Sequence, residues 1–115
     1  MKTIDQAPLD KREHKAVSAA KRTLQKNFGV KQIILFGSKA RGDADKDSDI
    51  DLIIIVEGSV HWKDEKAIVE CLFDIGIQHD VIFSPLVVST EEWESEQFKS
   101  FQVFCEIQRD GAVVQ

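Results

Sequence analysis

The fold of this chain is decided by one segment, Leu35-Phe36-Gly37-Ser38-Lys39-Ala40-Arg41-Gly42-Asp43-Ala44-Asp45-Lys46-Asp47-Ser48-Asp49-Ile50-Asp51-Leu52. An apolar run ends at Phe36, and a second run, 52–56, begins directly after Asp49 and Asp51. Strand side chains alternate between two faces, so these aspartates are expected on one face with their Cα atoms about 7 Å apart. Two carboxylates at the mouth of a buried strand repel each other and lose hydration, a cost that a shared divalent cation would offset.

Two other motifs that this loop could form are excluded. The alternating aspartates of residues 43–47 resemble a calcium-binding loop, but such a loop needs Gly and Glu where the sequence has Ser48 and Ile54. A phosphate-binding P-loop fails because no Gly-Lys-Ser/Thr follows the glycine. The loop acids are therefore expected to be a solvated turn, whereas Asp49 and Asp51 are candidate metal ligands.

The same segment carries a family resemblance. Gly37-Ser38, ten intervening residues and Asp49-x-Asp51 resemble the signature of the nucleotidyltransferase superfamily related to DNA polymerase β. The strings Phe-Gly-Ser-x-Ala-Arg-Gly at 36–42 and Ser-Asp-Ile-Asp-Leu at 48–52 are similar to its minimal nucleotidyltransferase (MNT) branch. The resemblance implies the nucleotidyltransferase fold, and the order of elements extends it over most of the chain.

Length and composition indicate one globular domain. The 115 residues are 43% hydrophobic and 30% charged, which is enough for a single modest core. No apolar stretch approaches about twenty residues and no signal-peptide pattern begins the chain, so we expect no membrane span and a cytoplasmic location. Cys71 and Cys105 stand in apolar-periodic settings and are expected to be buried, reduced thiols.

The net charge of −5 is unevenly distributed. Residues 1–41 hold ten Lys/Arg against three Asp/Glu, and residues 42–115 hold five against seventeen. The acidic part argues against general nucleic-acid binding, which needs a basic surface. Much of the positive charge lies on one predicted helix. This charge either forms a solvent-exposed face or binds phosphates or an anionic partner.

The hydrophobic periodicity predicts an α/β (α+β) domain spanning residues 1–115, with a short mixed sheet of three or four strands flanked by helices. Residues 1–8 are expected to be a flexible lead-in, and Asp10 to cap a helix that runs to Asn27. The remaining predicted elements are strands at 30–36, 50–56 and 79–84, helices at 38–41, 62–75, 89–93 and 98–108, and an edge strand or tail at 112–114.

The predicted topology brings the candidate site residues to one edge of the sheet. A strand–helix–strand unit with short links implies a parallel pair, so Asp80 would open the third strand where Asp49 opens the second. If the first strand runs antiparallel, Gly37-Ser38 at its exit reaches the same edge. Asp49, Asp51 and Asp80 are therefore the predicted metal-binding residues, and the resemblance implies that they are also the catalytic residues.

The resemblance implies a role for each residue of this site. Asp49 and Asp51 would bind Mg²⁺ or Mn²⁺, and the acid matching Asp80 would hold a second ion and help deprotonate the acceptor hydroxyl.

The nucleotide would contact the glycine-serine turn. Gly37 would let the backbone approach the triphosphate, and Ser38 would donate its hydroxyl. Arg41 would either bind a phosphate or pair with Asp43 or Asp47.

The implied reaction moves a nucleoside monophosphate, with ATP as the expected donor, to a hydroxyl. In the MNT branch, stand-alone domains accompany a small helical HEPN ribonuclease as antitoxin and can transfer AMP to a tyrosine of that toxin. This chain has no tyrosine, so the acceptor must lie elsewhere. The alternatives are a small-molecule nucleotidyltransferase whose acceptor site comes from another subunit, or a non-catalytic protein-binding module; homo-oligomers stay open.

The aromatic residues predict a protein-binding surface. The chain has more large apolar side chains than a three-stranded core can bury: Trp62, Trp93, Phe98, Phe101 and the tail at 113–114. We expect the last helix and the tail to receive a helical partner; the alternative is that these residues cover the second face of the sheet.

Overall fold

The computed structural model describes residues 1–115 and consists of a five-stranded mixed sheet with helices on both faces. The strands are β1 (Lys2–Thr3), β2 (Val30–Phe36), β3 (Ile50–Val56), β4 (Phe83–Ser89) and β5 (Ala112–Val113), in the spatial order β1-β5-β2-β3-β4. β2 is antiparallel to β3 and β5, whereas the pairs β3–β4 and β1–β5 are parallel. The predicted mixed α/β class is confirmed, with one strand more than the upper prediction.

The helices are α1 (Lys11–Asn27), α2 (Ser38–Arg41), α3 (Trp62–His79), α4 (Thr90–Glu94), α5 (Glu96–Lys99) and α6 (Gln102–Asp110), and a 3₁₀ turn spans Ile4–Gln6. The predicted N-cap of α1 is confirmed: Asp10 accepts from the Glu13 amide at 2.8 Å, and the Glu13 carboxylate accepts from the Asp10 amide at 3.1 Å. No helix combines the length and the apolar composition that a membrane span requires.

The alternation of β3 divides the core into two layers. Ile50, Leu52 and Ile54 pack in a cluster with α1 and α3. Ile53 and Ile55 face the other way and pack with residues of α5 and α6. Both faces of β3 are therefore covered, as its continuous apolar run predicts, and Asp51 belongs to the face that carries α6.

The N-terminal residues are not a flexible lead-in. Lys2 and Thr3 pair with Ala112 and Val113, and Ile4 is 3% exposed in the core. β5 lies between β1 and β2 instead of at an edge. Two-residue strands are too short to show the alternation that identifies longer ones, so the sequence prediction was wrong here.

The boundary between α3 and β4 also differs from the prediction. Gly76 does not end α3; it lies inside the helix, where a Cβ would approach the Val81 carbonyl oxygen to 2.6 Å. The helix continues to His79, and Asp80 adopts the left-handed conformation at its end, with φ of 56°. The strand begins at Phe83 and includes Pro85, which is tolerated because β4 is an edge strand.

The predicted last helix is two helices, α5 and α6, separated by Ser100 and Phe101. Phe98 and Ile107 are buried, whereas Phe101 and Cys105 are exposed. Neither cysteine forms a disulfide, but the predicted burial is wrong for Cys105, and Cys71 is only half-buried.

Trp93, Phe98 and Phe104 cover the second face of the sheet, whereas Trp62 and Phe101 are exposed. The Trp93 ring lies 5.5 Å from the Phe98 ring and 5.3 Å from the Phe104 ring. Val114 is buried in the main core. The predicted partner surface is therefore wrong for Trp93, Phe98 and Val114, which pack inside the domain, but not for the exposed Phe101.

Candidate active site

The turn after β2 lies against the first carboxylate of β3. Phe36 pairs with Asp51 in the antiparallel register, which brings Gly37 beside the Asp51 side chain. Gly37 has φ of 75° and ψ of −157°, and a Cβ built there would overlap the Asp51 carboxylate. Only glycine fits, because both the backbone conformation and the close approach exclude a side chain.

Asp49 and Asp51 form an electrostatically coupled pair. Asp51 is half-buried and Asp49 is exposed just before β3. Burial raises the pKa of Asp51 above its ordinary value of 3.8, and the negative charge of Asp49 raises it further. The Ser84 hydroxyl and the positive charge of Arg41 oppose that rise in the pKa. The structure thus brings the two predicted acids together in a setting that disfavours their charge.

This pair fits part of a site for a hard divalent cation. Carboxylate oxygens are the ligands that Mg²⁺ and Mn²⁺ prefer, and a cation would reverse the unfavourable charging of Asp51. No group of three or more His, Cys, Asp or Glu side chains has the spacing of a metal site. The chain therefore offers two acidic ligands, and phosphate oxygens of a nucleotide would have to supply others.

The predicted third acid, Asp80, is not with the pair. Its side chain is 96% exposed, and Arg12 Nη1 lies 3.3 Å from its Oδ2 atom. Asp80 lines a cavity of about 570 Å³ together with Ile50, on the face of the sheet opposite Asp51. The prediction placed Asp80 at the start of a strand, but the longer α3 leaves it in the helix cap, three residues before β4.

Ser84 occupies the strand position beside Asp51 that the prediction gave to an acid. The parallel register of β3 and β4 pairs Ser84 directly with Asp51. The sequence pattern does not single out Ser84, because the apolar residues on both sides of it allow more than one start for the strand. The residue paired with Asp51 on β4 therefore carries a hydroxyl group, not the predicted carboxylate.

Lys39 holds the loop that leads to Asp49. It is only 5% exposed, and its Nζ atom lies 2.5 Å from Glu13 Oε2 in α1. The same ammonium group donates to the carbonyl oxygens of Asp45 at 3.0 Å and Lys46 at 3.3 Å. These three oxygens use all three donors of the buried ammonium group, so Lys39 is a structural residue that fixes the loop against α1.

Arg41 and Ser38 are the other residues predicted to contact the nucleotide. Arg41 Nε donates to Asp43 Oδ2 at 3.1 Å, one of the two pairings considered for it, and this hydrogen bond raises the pKa of Arg41. Ser38 is half-buried at the start of α2, beside Gly37. Arg41 is exposed, so it can rotate from Asp43 towards a ligand.

α6 brings a further carboxylate to this edge. β5 pairs Ala112 with Leu35, so one step further along the antiparallel register Gly111 stands opposite Phe36. Ile107 is buried on the face of the sheet that carries Asp51. The charge of Glu106, the residue before it, raises the pKa of Asp51. Glu106 was missed because nothing in the sequence relates α6 to the distant pair of acids.

Comparison with known proteins identifies the family of the domain. The nucleotidyltransferase domain family matches residues 17–104, which include Gly37, Asp49 and Asp51. A candidate protein adenylyltransferase of Methanocaldococcus jannaschii is 33% identical over 81 residues, covering 69% of this chain and 76% of that protein. A second protein of this kind from the same organism is 36% identical over 56 residues, covering 49% of this chain and 57% of the relative. The protein adenylyltransferase MntA of Thermococcus cleftensis is 44% identical over 41 residues, covering 36% of this chain and 41% of the relative.

Solved structures show the same fold. A candidate nucleotidyltransferase from Sulfolobus solfataricus superposes with a TM-score of 0.55 at 25% identity, covering 70% of each chain. A toxin–antitoxin complex with AMP-PNP gives a TM-score of 0.55 at 18% identity, covering 87% of this chain and 70% of the other. A tri-AMPylated Shewanella oneidensis HEPN toxin with its MNT antitoxin gives 0.50 at 14% identity, covering 87% and 70%. The match to residues 17–104 and the shared fold together show that this chain belongs to the nucleotidyltransferase domain family.

Proposed function

We propose that this domain transfers AMP from ATP, with Mg²⁺ or Mn²⁺, to a hydroxyl of a HEPN-type partner protein, as the antitoxin of a toxin–antitoxin pair. The observation that carries the proposal is the contact of Gly37 with the carboxylate of Asp51. It leaves a backbone without a side chain directly beside a pair of carboxylates. A nucleotidyltransferase needs both features, because triphosphate and cation must meet at one point.

Asp49 and Asp51 would hold the metal ion, which supplies neutralisation of charge on the triphosphate when it is bound. Gly37 keeps the path to the phosphates open, and the Ser38 hydroxyl is available to donate a hydrogen bond. Arg41 leaves Asp43 to place its guanidinium near a phosphate. These residues bind and orient the nucleotide; they form no covalent bond with it.

The acceptor hydroxyl also needs a group that takes its proton. Asp80 lies on the opposite face of the sheet, so we assign this role to Glu106 of α6, whose charge acts on Asp51. The acceptor oxygen forms a bond to the α-phosphorus, the bond to pyrophosphate breaks, and the acceptor proton passes to Glu106. A carboxylate is a competent general base once the developing phosphodiester lowers the pKa of the hydroxyl.

The protein acceptor is supported by the relatives. Three of them carry the name protein adenylyltransferase, and a structure with the same fold holds an AMPylated HEPN toxin. This chain spans about half the length of two of these relatives, 57% of one and 41% of the other, so this activity is proposed for the chain on its own site residues. The absence of tyrosine excludes tyrosine self-modification and is compatible with an acceptor hydroxyl on a partner protein.

The test is co-expression with a HEPN-type protein, followed by intact mass measurement of that protein. The wild-type chain should add AMP, Asp51→Asn should abolish the addition, and Glu106→Gln should slow it while ATP binding persists. Asp80→Asn is the matched control, because its carboxylate is off the site, and it should leave the addition unchanged. Equal modification by wild type and Asp51→Asn would refute the proposal.

Ser84 favours a second candidate function. Its hydroxyl replaces an acid beside Asp51, and nucleotide binding needs fewer acids than transfer does. The chain would then be a nucleotide-binding module that blocks its partner without modifying it. ATP binding in calorimetry, together with an unmodified partner in the mass measurement, would select this function.

A further inference from the structure

The outer face of α3 carries a continuous apolar stripe. Trp62, Val69, Phe73 and Ile77 follow one another at steps of seven, four and four residues, so they lie on one side of the helix. Ile82 extends the stripe beyond the end of α3. These five side chains are between 43% and 67% exposed, although isoleucine, phenylalanine and valine are usually buried in soluble proteins.

A cavity opens beside the stripe. It has a volume of about 570 Å³, and its walls include Val69, Phe73, Ile77 and Ile82, with Leu72 deeper in the wall. A helix that packs on this stripe could insert a large side chain into the cavity. The shape and composition of the stripe and its cavity thus fit a second helix, but they do not show which protein that helix belongs to.

The charges beside the stripe indicate that the second helix is α3 of another copy of this chain. Lys63, Lys66, Glu70 and Asp74 follow at steps of three, four and four residues, and therefore form one flank of α3. All four are exposed; the flank is basic in its first half and acidic in its second. A helix that runs in the opposite direction with the same pattern complements this flank.

We propose that two copies of this chain form a dimer through antiparallel packing of their α3 helices. In a two-fold dimer of antiparallel helices, each flank faces the same flank of the other copy in reverse order. Lys63 and Lys66 of one copy then meet Glu70 and Asp74 of the other. In this register Phe73 of each copy lies opposite Trp62 of the other copy, on either side of the centre of the interface.

The dimer leaves the candidate active sites open. Asp51 projects from the face of the sheet that carries α6, whereas α3 covers the other face. A partner protein can therefore reach Asp51 in each copy. The inference does not depend on the transferase activity, so the two can fail separately.

The first test measures the dissociation constant of the dimer by analytical ultracentrifugation. Phe73→Lys should raise it by about 100-fold or more, since each dimer loses two buried rings. Phe101→Lys is the matched control, because Phe101 is also exposed but lies between α5 and α6, and it should leave the constant unchanged. A wild-type chain that stays monomeric, or a dimer that survives Phe73→Lys, would overturn the proposal.

A charge exchange tests the antiparallel arrangement itself. Lys63→Glu with Lys66→Glu gives an acidic flank, and Glu70→Lys with Asp74→Lys gives a basic one. Each double variant alone should be at least about ten-fold weaker as a dimer, and an equimolar mixture should associate as tightly as the wild type. These residues are exposed, so unchanged melting temperatures should confirm that both variants fold.

Failure of the mixture to recover association would contradict the antiparallel pairing. If Phe73→Lys instead disrupted only the complex with a HEPN-type partner, while the chain alone remained a monomer, the stripe would belong to that partner and the dimer would be refuted.

Discussion

The buried ion pair between Lys39 and Glu13 should be a major determinant of stability. Both side chains are about 6% exposed and their charged atoms are 2.5 Å apart. Replacing Lys39 with Met keeps the approximate volume of the side chain but leaves the Glu13 carboxylate buried without its cation. Removing one partner of a buried pair typically costs about 3–5 kcal/mol.

Two features of the structure determine where the cost of Lys39→Met falls within the range of about 3–5 kcal/mol. Lys39→Met also removes the donor that satisfies the carbonyl oxygens of Asp45 and Lys46, which favours the upper end. Glu13 keeps its hydrogen bond from the Asp10 amide, which lowers the cost of leaving it unpaired. We therefore expect a loss of about 4 kcal/mol in the free energy of unfolding, or roughly 16 °C in the melting temperature for a chain of this length.

Urea unfolding at pH 7 measures this loss, and Lys31→Met is the matched control. Lys31 Nζ lies 3.8 Å from Glu57 Oε2, but both side chains are largely exposed. Breaking that surface pair should cost less than about 1 kcal/mol. A similar small loss for Lys39→Met would refute the assignment of Lys39 as a structural residue.

The double variant Lys39→Met/Glu13→Gln separates the charge from the packing. Glutamine at position 13 can still accept from the Asp10 amide, so the cap of α1 is preserved. With no charge left buried, the double variant should recover at least half of the stability lost by Lys39→Met. A double variant that is less stable than Lys39→Met alone would show that the unpaired carboxylate is not the cause.

Three further changes test the site and the fold. Gly37→Ala should weaken ATP binding in calorimetry more than Ser38→Ala does, because the new Cβ displaces the Asp51 carboxylate and the backbone has a positive φ; equal affinities would contradict this. Asp51→Asn should raise the melting temperature at pH 7 and not at pH 3, because the raised pKa of Asp51 in the folded state makes its ionisation unfavourable above the unfolded value of 3.8; a gain at both pH values would indicate another cause. Asp10→Ala should lower the free energy of unfolding by about 1 kcal/mol in urea titration, since α1 loses its cap; no loss would mean that the capping box does not stabilise the helix.

The sequence predicted the elements that contain the acidic pair. β2, α2 and β3 have the predicted bounds, because each apolar run is interrupted by glycine or charged residues that cannot continue it. The parallel pairing of β3 with β4 also agrees with the prediction, and β2 is antiparallel to β3, which is the condition that the sequence left open. Local patterns and short links were sufficient for this half of the site.

The rest of the site depends on contacts that local patterns do not encode. Gly76 looks like the end of a helix, but it lies inside α3, and its lack of a side chain lets the backbone at Val81 pass close to the helix. The helix is therefore one turn longer than predicted, and Asp80 lies in its cap instead of beside the acidic pair. The contact of Lys39 with Glu13 joins residues in different elements, and both would be expected at the surface from their charge alone. The charge of Glu106 acts on Asp51 although the two residues are far apart in sequence, and the pairing of β5 with β2 holds the end of α6 at this edge of the sheet.

The position of β5 has a consequence for the order in which the domain folds. β5 pairs with Ile34 and Leu35 of β2, and with Lys2 and Thr3 of β1. During synthesis, β2 can pair with β3 as soon as residue 56 emerges, but its other edge stays unpaired until residue 113 has left the ribosome.

Such contacts between distant parts of the sequence slow folding, because a long loop must close before they form. A nascent chain would meanwhile expose the open edge of β2, whose last residues lead directly into Gly37. Chaperones that shield exposed strand edges should therefore bind this chain before its C-terminal residues appear, and the turn that faces Asp51 should be among the last parts of the domain to become rigid.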